Sequence, residues 1–298
     1  MRLTTTALAT TALLALPGTA GADLRVVATT SSMAMLAREV GGDAVSVTTL
    51  APPDRDPHYV LARPSMMLAL RRADLVVAVG AELEVGWLPA ALQSAANGKV
   101  RPGQPGYFEG AAQVELLERG DTADRSRGDV HPMGNPHYYM DPVRMAAAGR
   151  ALAGRLAALD PPRKDAYLGR AAAFAAAVDA RAAAWRARAA KAPGVVFYHK
   201  DGNYLAAFLA VPVLGYVEPL PGVPPTASHL RDLVGRLQGS KGVILYNSYH
   251  PSDGPEFLAR QLGWRAVQLP LEVALDATGA DYLDHLDRWV TAITGATP

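Results

Sequence analysis

Cysteine is absent from this 298-residue chain, so its seven histidines carry most of the available metal and acid–base chemistry. Three of them share a local setting. His58 stands in Asp56-Pro57-His58-Tyr59, just past the β-branched run Val45–Leu50. His137 stands in Gly134-Asn135-Pro136-His137-Tyr138-Tyr139-Met140-Asp141-Pro142, and His199 ends Val195-Val196-Phe197-Tyr198-His199. Proline fixes φ and limits the freedom of its neighbours, so two of these imidazoles sit on preorganised loops. A lone histidine is more often a satisfied surface or core residue than a ligand. Three at loop exits point to a divalent metal, although the short H-x₃-H spacing that makes zinc motifs specific is missing.

The elements that would position them read as two α/β halves. Leu24–Thr30, Val45–Leu50 and Leu75–Val79 are strand-like. Between them lie a helix that Ser32 can cap, with Met33, Leu36 and Val40 at helical spacing, and a second helix over Arg63–Arg72. Alternation of this kind predicts a mainly parallel sheet flanked by helices, and such sheets bind ligands beyond the carboxyl ends of their strands. The second half repeats the rhythm. Strands are expected at Val195–Tyr198, Val213–Val217, Val243–Tyr246 and Ala266–Leu269. Helices are expected near Tyr204–Leu209, Ser228–Gln238, Glu256–Leu262 and Asp281–Ile293.

Between the halves, Val143–Leu159 and Arg163–Lys191 are dominated by Ala, Arg and Leu, which favour helix. Asp160-Pro161-Pro162 separates them, with Asp160 able to cap the second helix and a proline able to occupy its first turn. Arg163–Lys191 would be about 43 Å long. An ordinary surface helix pair has this composition too, but the position between two complete patterns favours a spine joining two lobes. The expected division is an export segment over 1–22, an N-terminal lobe over 23–159, a linking helix over 160–191 and a C-terminal lobe over 192–298.

The export segment rests on Met1-Arg2, the apolar run Ala7–Leu16 and the small residues Ala20-Gly21-Ala22, with Asp23 as the expected mature N-terminus. The run is too short to span a bilayer. A soluble exported receptor is kept near its membrane where an outer membrane encloses it, so the expected compartment is the periplasm. Without cysteine there are no disulfides, thiolate zinc sites, cysteine nucleophiles or lipid-modified N-terminal thiol. Lys and Arg total 29 against 28 Asp and Glu, which leaves no electrostatic footprint for nucleic acid or an anionic membrane.

The three histidine stretches, together with Gly215-Tyr216-Val217-Glu218-Pro219, Pro221-Gly222-Val223-Pro224-Pro225 and Asp281-Tyr282, resemble the periplasmic metal-binding receptors of zinc and manganese ABC importers, the cluster A-I solute-binding proteins. The likeness runs over nearly all of residues 23–295. It implies two α/β lobes joined by one long helix, a metal ion held between them, and delivery of that ion to an importer permease, with a periplasmic metallochaperone as a further partner. The receptor is expected to be monomeric and not an enzyme.

Carried over by position, His58, His137 and His199 match the family's first three ligands. Histidine at the third position resembles the zinc-preferring subset, and imidazole suits Zn²⁺ better than Mn²⁺. Many relatives complete the shell with an aspartate after the last strand. This chain reads Leu269-Pro270-Leu271-Glu272-Val273-Ala274-Leu275-Asp276 there. Glu272, nearer the strand end, is the favoured fourth ligand, with Asp276 or water as alternatives. Asp141 either fixes a ring tautomer or caps the helix beginning at Pro142.

His131 reads as a transient pick-up group or a solvated loop residue, His250 as a cleft residue that does not bind metal, and His229 and His285 as surface residues. Glu118–Val130 has no histidine run, so a metal-collecting loop is not expected. The rival readings are a zinc hydrolase using three histidines and an open water position, and a receptor for an organic solute. Against the hydrolase, no HExxH helix or G-x-S-x-G elbow is present.

Overall fold

The computed structural model describes residues 23–120 and 130–295. The export segment read over 1–22 and most of the Glu118–Val130 loop lie outside the described residues. The first half runs β1 (Leu24–Ala28), α1 (Ser31–Gly41), β2 (Val45–Thr49), α2 (Pro64–Arg72), β3 (Leu75–Ala78), α3 (Leu88–Ala95) and β4 (Tyr107–Glu109). Two helices follow, α4 (Pro142–Leu159) and α5 (Lys164–Ala189). The second half runs β5 (Val195–Phe197), α6 (Asn203–Leu209), β6 (Val213–Tyr216), α7 (Ala227–Leu237), β7 (Val243–Asn247), α8 (Asp253–Leu262), β8 (Arg265–Leu269) and α9 (Gly279–Thr294).

Both sheets are parallel and have four strands, in the orders β2-β1-β3-β4 and β6-β5-β7-β8. In each, the chain goes first to one side of the opening strand and then to the other, which leaves a crevice at the carboxyl ends where the order reverses. β3 and β7 are buried along their whole length, as continuous apolar runs in parallel sheets demand. The expected two-lobe parallel architecture is the one observed. Sequence reading did not identify β4, only three residues long, or α3.

The 26-residue helix α5 is about 39 Å long at the usual rise. It buries Tyr167, Ala171, Phe174, Val178, Ala182, Trp185 and Ala189, a stripe at helical spacing. Near its start, Arg170 donates to the carbonyls of Val40 and Gly41 at the end of α1 (3.0 and 2.8 Å). Near its end, the Trp185 indole and Arg188 both reach Asp287 of α9. One apolar core therefore runs from α1 through α4 and α5 into α9 and the second sheet. The helix joining the lobes is part of the core of both.

The break before α5 differs in detail from the sequence reading. Pro161–Arg163 form a 3-10 turn, so Asp160 stands a turn too early to cap α5. Its carboxylate instead accepts from the Arg163 guanidinium (3.2 Å) and the Tyr167 hydroxyl (2.6 Å).

Candidate metal centre

Each of the three histidines leaves the end of a strand or the start of a helix on a restrained loop. His58 lies in the 3-10 turn Pro57–Tyr59 beyond β2, with Asp56 as its N-cap. Asp56 Oδ1 accepts from the His58 backbone N–H (2.9 Å) and from Nδ1 (2.6 Å). The Trp87 indole pins the same turn through the Pro57 carbonyl (2.9 Å).

His137 is placed by the Gly-Asn-Pro sequence before it. Gly134 has φ of +120°, and a Cβ there would meet Leu116 at 2.7 Å, so only glycine turns the chain here. Asn135 Oδ1 accepts from the His137 N–H (3.0 Å), while its amide donates across the crevice to the Lys200 carbonyl (2.8 Å). The loop carrying His137 is thereby tied to the segment that follows His199.

His199 leaves the end of β5, and its Nδ1 donates to Glu218 Oε2 at 2.9 Å, from the turn after β6. Glu218 also accepts from Gly222 N–H (3.1 Å), which locks the turn.

The three rings form a near-equilateral triangle with centroids 5.4 to 5.6 Å apart. One potential ligand atom from each lies within 4.8 Å of the others, and among the described residues no other group of His, Asp or Glu does this. Every Nδ1 is engaged: by Asp56, by the Tyr139 hydroxyl (3.0 Å from His137 Nδ1) and by Glu218. That leaves Nε2 of each ring as the atom available to a metal, the usual way an outer partner sets the tautomer of a metal-binding imidazole. His137 Nε2 is buried with no hydrogen-bond partner, a cost of about 1–3 kcal/mol that a cation at the centre would remove.

Electrostatics match this arrangement. Burial, then repulsion from His199, His58, His131 and His250, holds His137 well below the usual histidine range, so this ring is neutral and its lone pair available. Burial also opposes charge on His199, but the bond to Glu218 and the charges of Asp201 and Asp56 outweigh it and raise its pKa. For Asp56, burial works against the carboxylate, yet its bonds to His58 hold its pKa below the ordinary value. The outer carboxylates thus supply negative charge behind the rings.

Glu272, favoured from sequence as the fourth ligand, does not join the triangle. Its Oε2 accepts from the Ser32 N–H (2.7 Å) and the Ser31 hydroxyl (3.1 Å) at the positive end of α1. Burial raises the pKa of its carboxyl, and the bonds to Ser32, Ser31 and the Tyr139 phenol act in the opposite direction. Glu272 therefore stands behind Tyr139, which stands behind His137. Asp276 is exposed and its charge acts on Arg38, away from the rings. Asp141 takes the capping role rather than the tautomer-fixing one. It accepts from Val143 N–H (2.8 Å) and Arg144 N–H (3.2 Å) and pairs with the Arg144 guanidinium.

The remaining histidines divide. His250 stacks on Tyr198 with centroids 4.1 Å apart and lies 6.4 Å from the His199 ring, a cleft residue as expected. His229 is half-buried and bonds the Tyr216 carbonyl. His285, expected at the surface, is buried at 2% exposure and bonds the Leu271 carbonyl (3.1 Å), because α9 turns this face to the loop after β8. His131 brings its Nε2 to 3.2 Å from His58 Nε2. Sequence reasoning assigned no part to Asp56, Tyr139 or Glu218. Their only sequence signal was position beside a histidine or in a turn after a strand.

Two parallel-sheet lobes share a helical spine, and three imidazoles converge in the crevice between them. The sequence profile of zinc-uptake complex component A, periplasmic (ZnuA) matches residues 26–296, and the chain belongs to this family. The zinc-binding lipoprotein AdcA of Streptococcus pneumoniae serotype 4 is 24% identical over 286 residues, covering 92% of this chain and 56% of that protein. The manganese ABC transporter substrate-binding lipoprotein PsaA of Streptococcus anginosus is 25% identical over 152 residues, 50% of this chain and 46% of that protein. The chain thus spans about half the length of these relatives.

Among solved structures, ZnuA superposes with a TM-score of 0.76 at 21% identity, over 91% of this chain and 99% of that one. FpvC from Pseudomonas aeruginosa, solved with Mn²⁺, gives 0.76 at 24% identity, over 92% and 97%. The family is one of solute-binding receptors, so the hydrolase reading is set aside.

Proposed function

We propose that this chain captures Zn²⁺ in the crevice between its lobes, through His58, His137 and His199, and hands it to the membrane permease of an ABC importer from the periplasmic side. The observation that carries the reading is that His58, His137 and His199 bring one potential ligand atom each within 4.8 Å of the others, while every Nδ1 is engaged by an outer partner. A nitrogen-rich donor set favours Zn²⁺ over Mn²⁺, which prefers more carboxylate and water oxygen. Among the described residues no helix is long and apolar enough to cross a membrane.

His58 follows a strand of the first sheet, His199 a strand of the second, and His137 leads into α4, so the ion would hold the lobes against each other. Release then requires a movement that separates His199, on the second sheet, from His58 on the first. Isothermal titration of metal-free protein with Zn²⁺ should show one tight site. Alanine at His58, His137 or His199 should each weaken it by orders of magnitude. If none of the three variants loses affinity, the site lies elsewhere.

A further inference from the structure

The three-histidine site lacks a fourth protein donor in the place where sequence reasoning sought one. Glu272 bonds the start of α1 through Oε2 and lies outside the histidine group, its buried Oε1 having no hydrogen-bond partner, and Asp276 faces solvent. Beside the triangle, against the His58 ring, stands His131. Its Nε2 is 3.2 Å from His58 Nε2, and the two rings are 5.2 Å apart. The Asp56 carboxylate takes the Nδ1 proton of His58, so His58 Nε2 presents a lone pair. Two ring nitrogens at this distance need a proton or a cation between them. In a tetrahedral zinc site with bonds of about 2.05 Å, neighbouring ligand atoms are about 3.3 Å apart. The His58–His131 separation is therefore already that of one edge of such a tetrahedron.

Two further observations set His131 beside the site. Gly134 N–H bonds the His131 carbonyl (3.0 Å), so one short turn presents both His131 and His137. His131 and His199 also line the same cavity of about 340 Å³, which runs between the Gly120 and Val130 side and the Pro219–Pro221 turn. His131 is not yet within 4.8 Å of both His137 and His199, so completing the shell takes an inward swing of this ring.

We infer that His131 is the fourth ligand, closing an all-imidazole shell around the ion, with Glu272 serving only as an outer support through Tyr139. This rests on the three-histidine reading and adds to it a donor and a selectivity. Four nitrogens and no carboxylate make a poor site for Mn²⁺ and a good one for Zn²⁺.

X-ray absorption at the zinc edge of the whole chain, loaded with one equivalent of Zn²⁺, counts the imidazoles without any mutation. Four are expected; three with an oxygen donor would overturn the inference. In His131→Ala the count should fall to three plus one oxygen. Zinc affinity should drop by more than the roughly 10–100-fold that losing an outer partner costs. Four imidazoles persisting in His131→Ala would show that another ring, such as His250, fills the vertex, and the inference fails. Glu272→Gln should keep four imidazoles; loss of an oxygen donor there would restore Glu272 as a ligand and also sink the inference. His131→Asp should move the Zn²⁺/Mn²⁺ competition toward Mn²⁺, and an unchanged ratio counts against an effect of this donor on selectivity. If His137→Ala binds Zn²⁺ normally, the underlying three-histidine reading fails instead, which none of the His131 results would show.

Discussion

Glu218 offers the sharpest test of how the site is held. Its carboxylate accepts from His199 Nδ1 at 2.9 Å, and both side chains are close to buried, at 11% and 8% exposure. It contributes an orientation, because the bond fixes the ring about its own axis, and a tautomer, because a carboxylate takes the Nδ1 proton and leaves Nε2 bare. Removing such an outer partner typically costs 10–100-fold in metal affinity, or about 1.4–2.7 kcal/mol. Glu218→Ala also frees the Gly222 N–H, so it should sit at the upper end of that range. Glu218→Gln keeps an acceptor for both donors and loses only the charge, so it should sit at the lower end.

The assay is competition for Zn²⁺ against a chelator of known affinity at pH 7.5. Glu256→Ala serves as control, because that residue's 3.7 Å pair with Arg260 is exposed on α8 and should be silent. Unchanged affinity in Glu218→Ala would mean that His199 either does not bind the ion or is oriented by something else. An effect equal to that of His199→Ala would mean that the ring cannot bind at all without its carboxylate.

Other expectations follow from the packing. His285 is held neutral: burial, and secondarily the charge of Arg288, bring its pKa from 6.5 down to about 4, although the bond to the Leu271 carbonyl resists the shift. A histidine depressed in the folded state stabilises fully above its unfolded pKa, and that contribution is lost as pH falls from about 6.5 toward 4. The loss is up to about 3 kcal/mol. Urea unfolding at pH 7.5 and 4.5 should therefore show a smaller acid loss in His285→Gln than in the parent, and equal losses would contradict the assignment. Asp141→Ala removes the N-cap of α4 and its bonds to Val143 and Arg144, which should lower stability by about 1–2 kcal/mol in the same assay. A core continuous through α5 resists wide hinging, so small-angle scattering with and without Zn²⁺ should give nearly equal radii of gyration. A large change would show that the shared core opens.

Much of the fold was legible in the sequence because its signals are local. Val45–Thr49, Leu75–Ala78 and Val243–Asn247 announce themselves as β-branched or apolar runs, and the Ala-rich spine declares its helical length. β4 escaped because three residues carry too little pattern to stand above a loop. His285 was misplaced because periodicity shows that a helix has two faces, while burial depends on what packs against each one.

The sequence alone determined that three imidazoles would leave strand ends or sit on proline-stiffened loops, that the two halves would be parallel α/β layers, and that no thiol could take part. Tertiary structure decided which atoms of those rings remain free. The partners that settle it are brought together from far along the chain: His199 from Glu218, nineteen residues on, and Glu272 from Ser31 and Ser32 at the opposite end. A carboxylate beside a candidate site can bind a metal, brace a ring or satisfy a helix end. The residue type is the same in each case, and only the position of its hydrogen-bond donors in space selects among them.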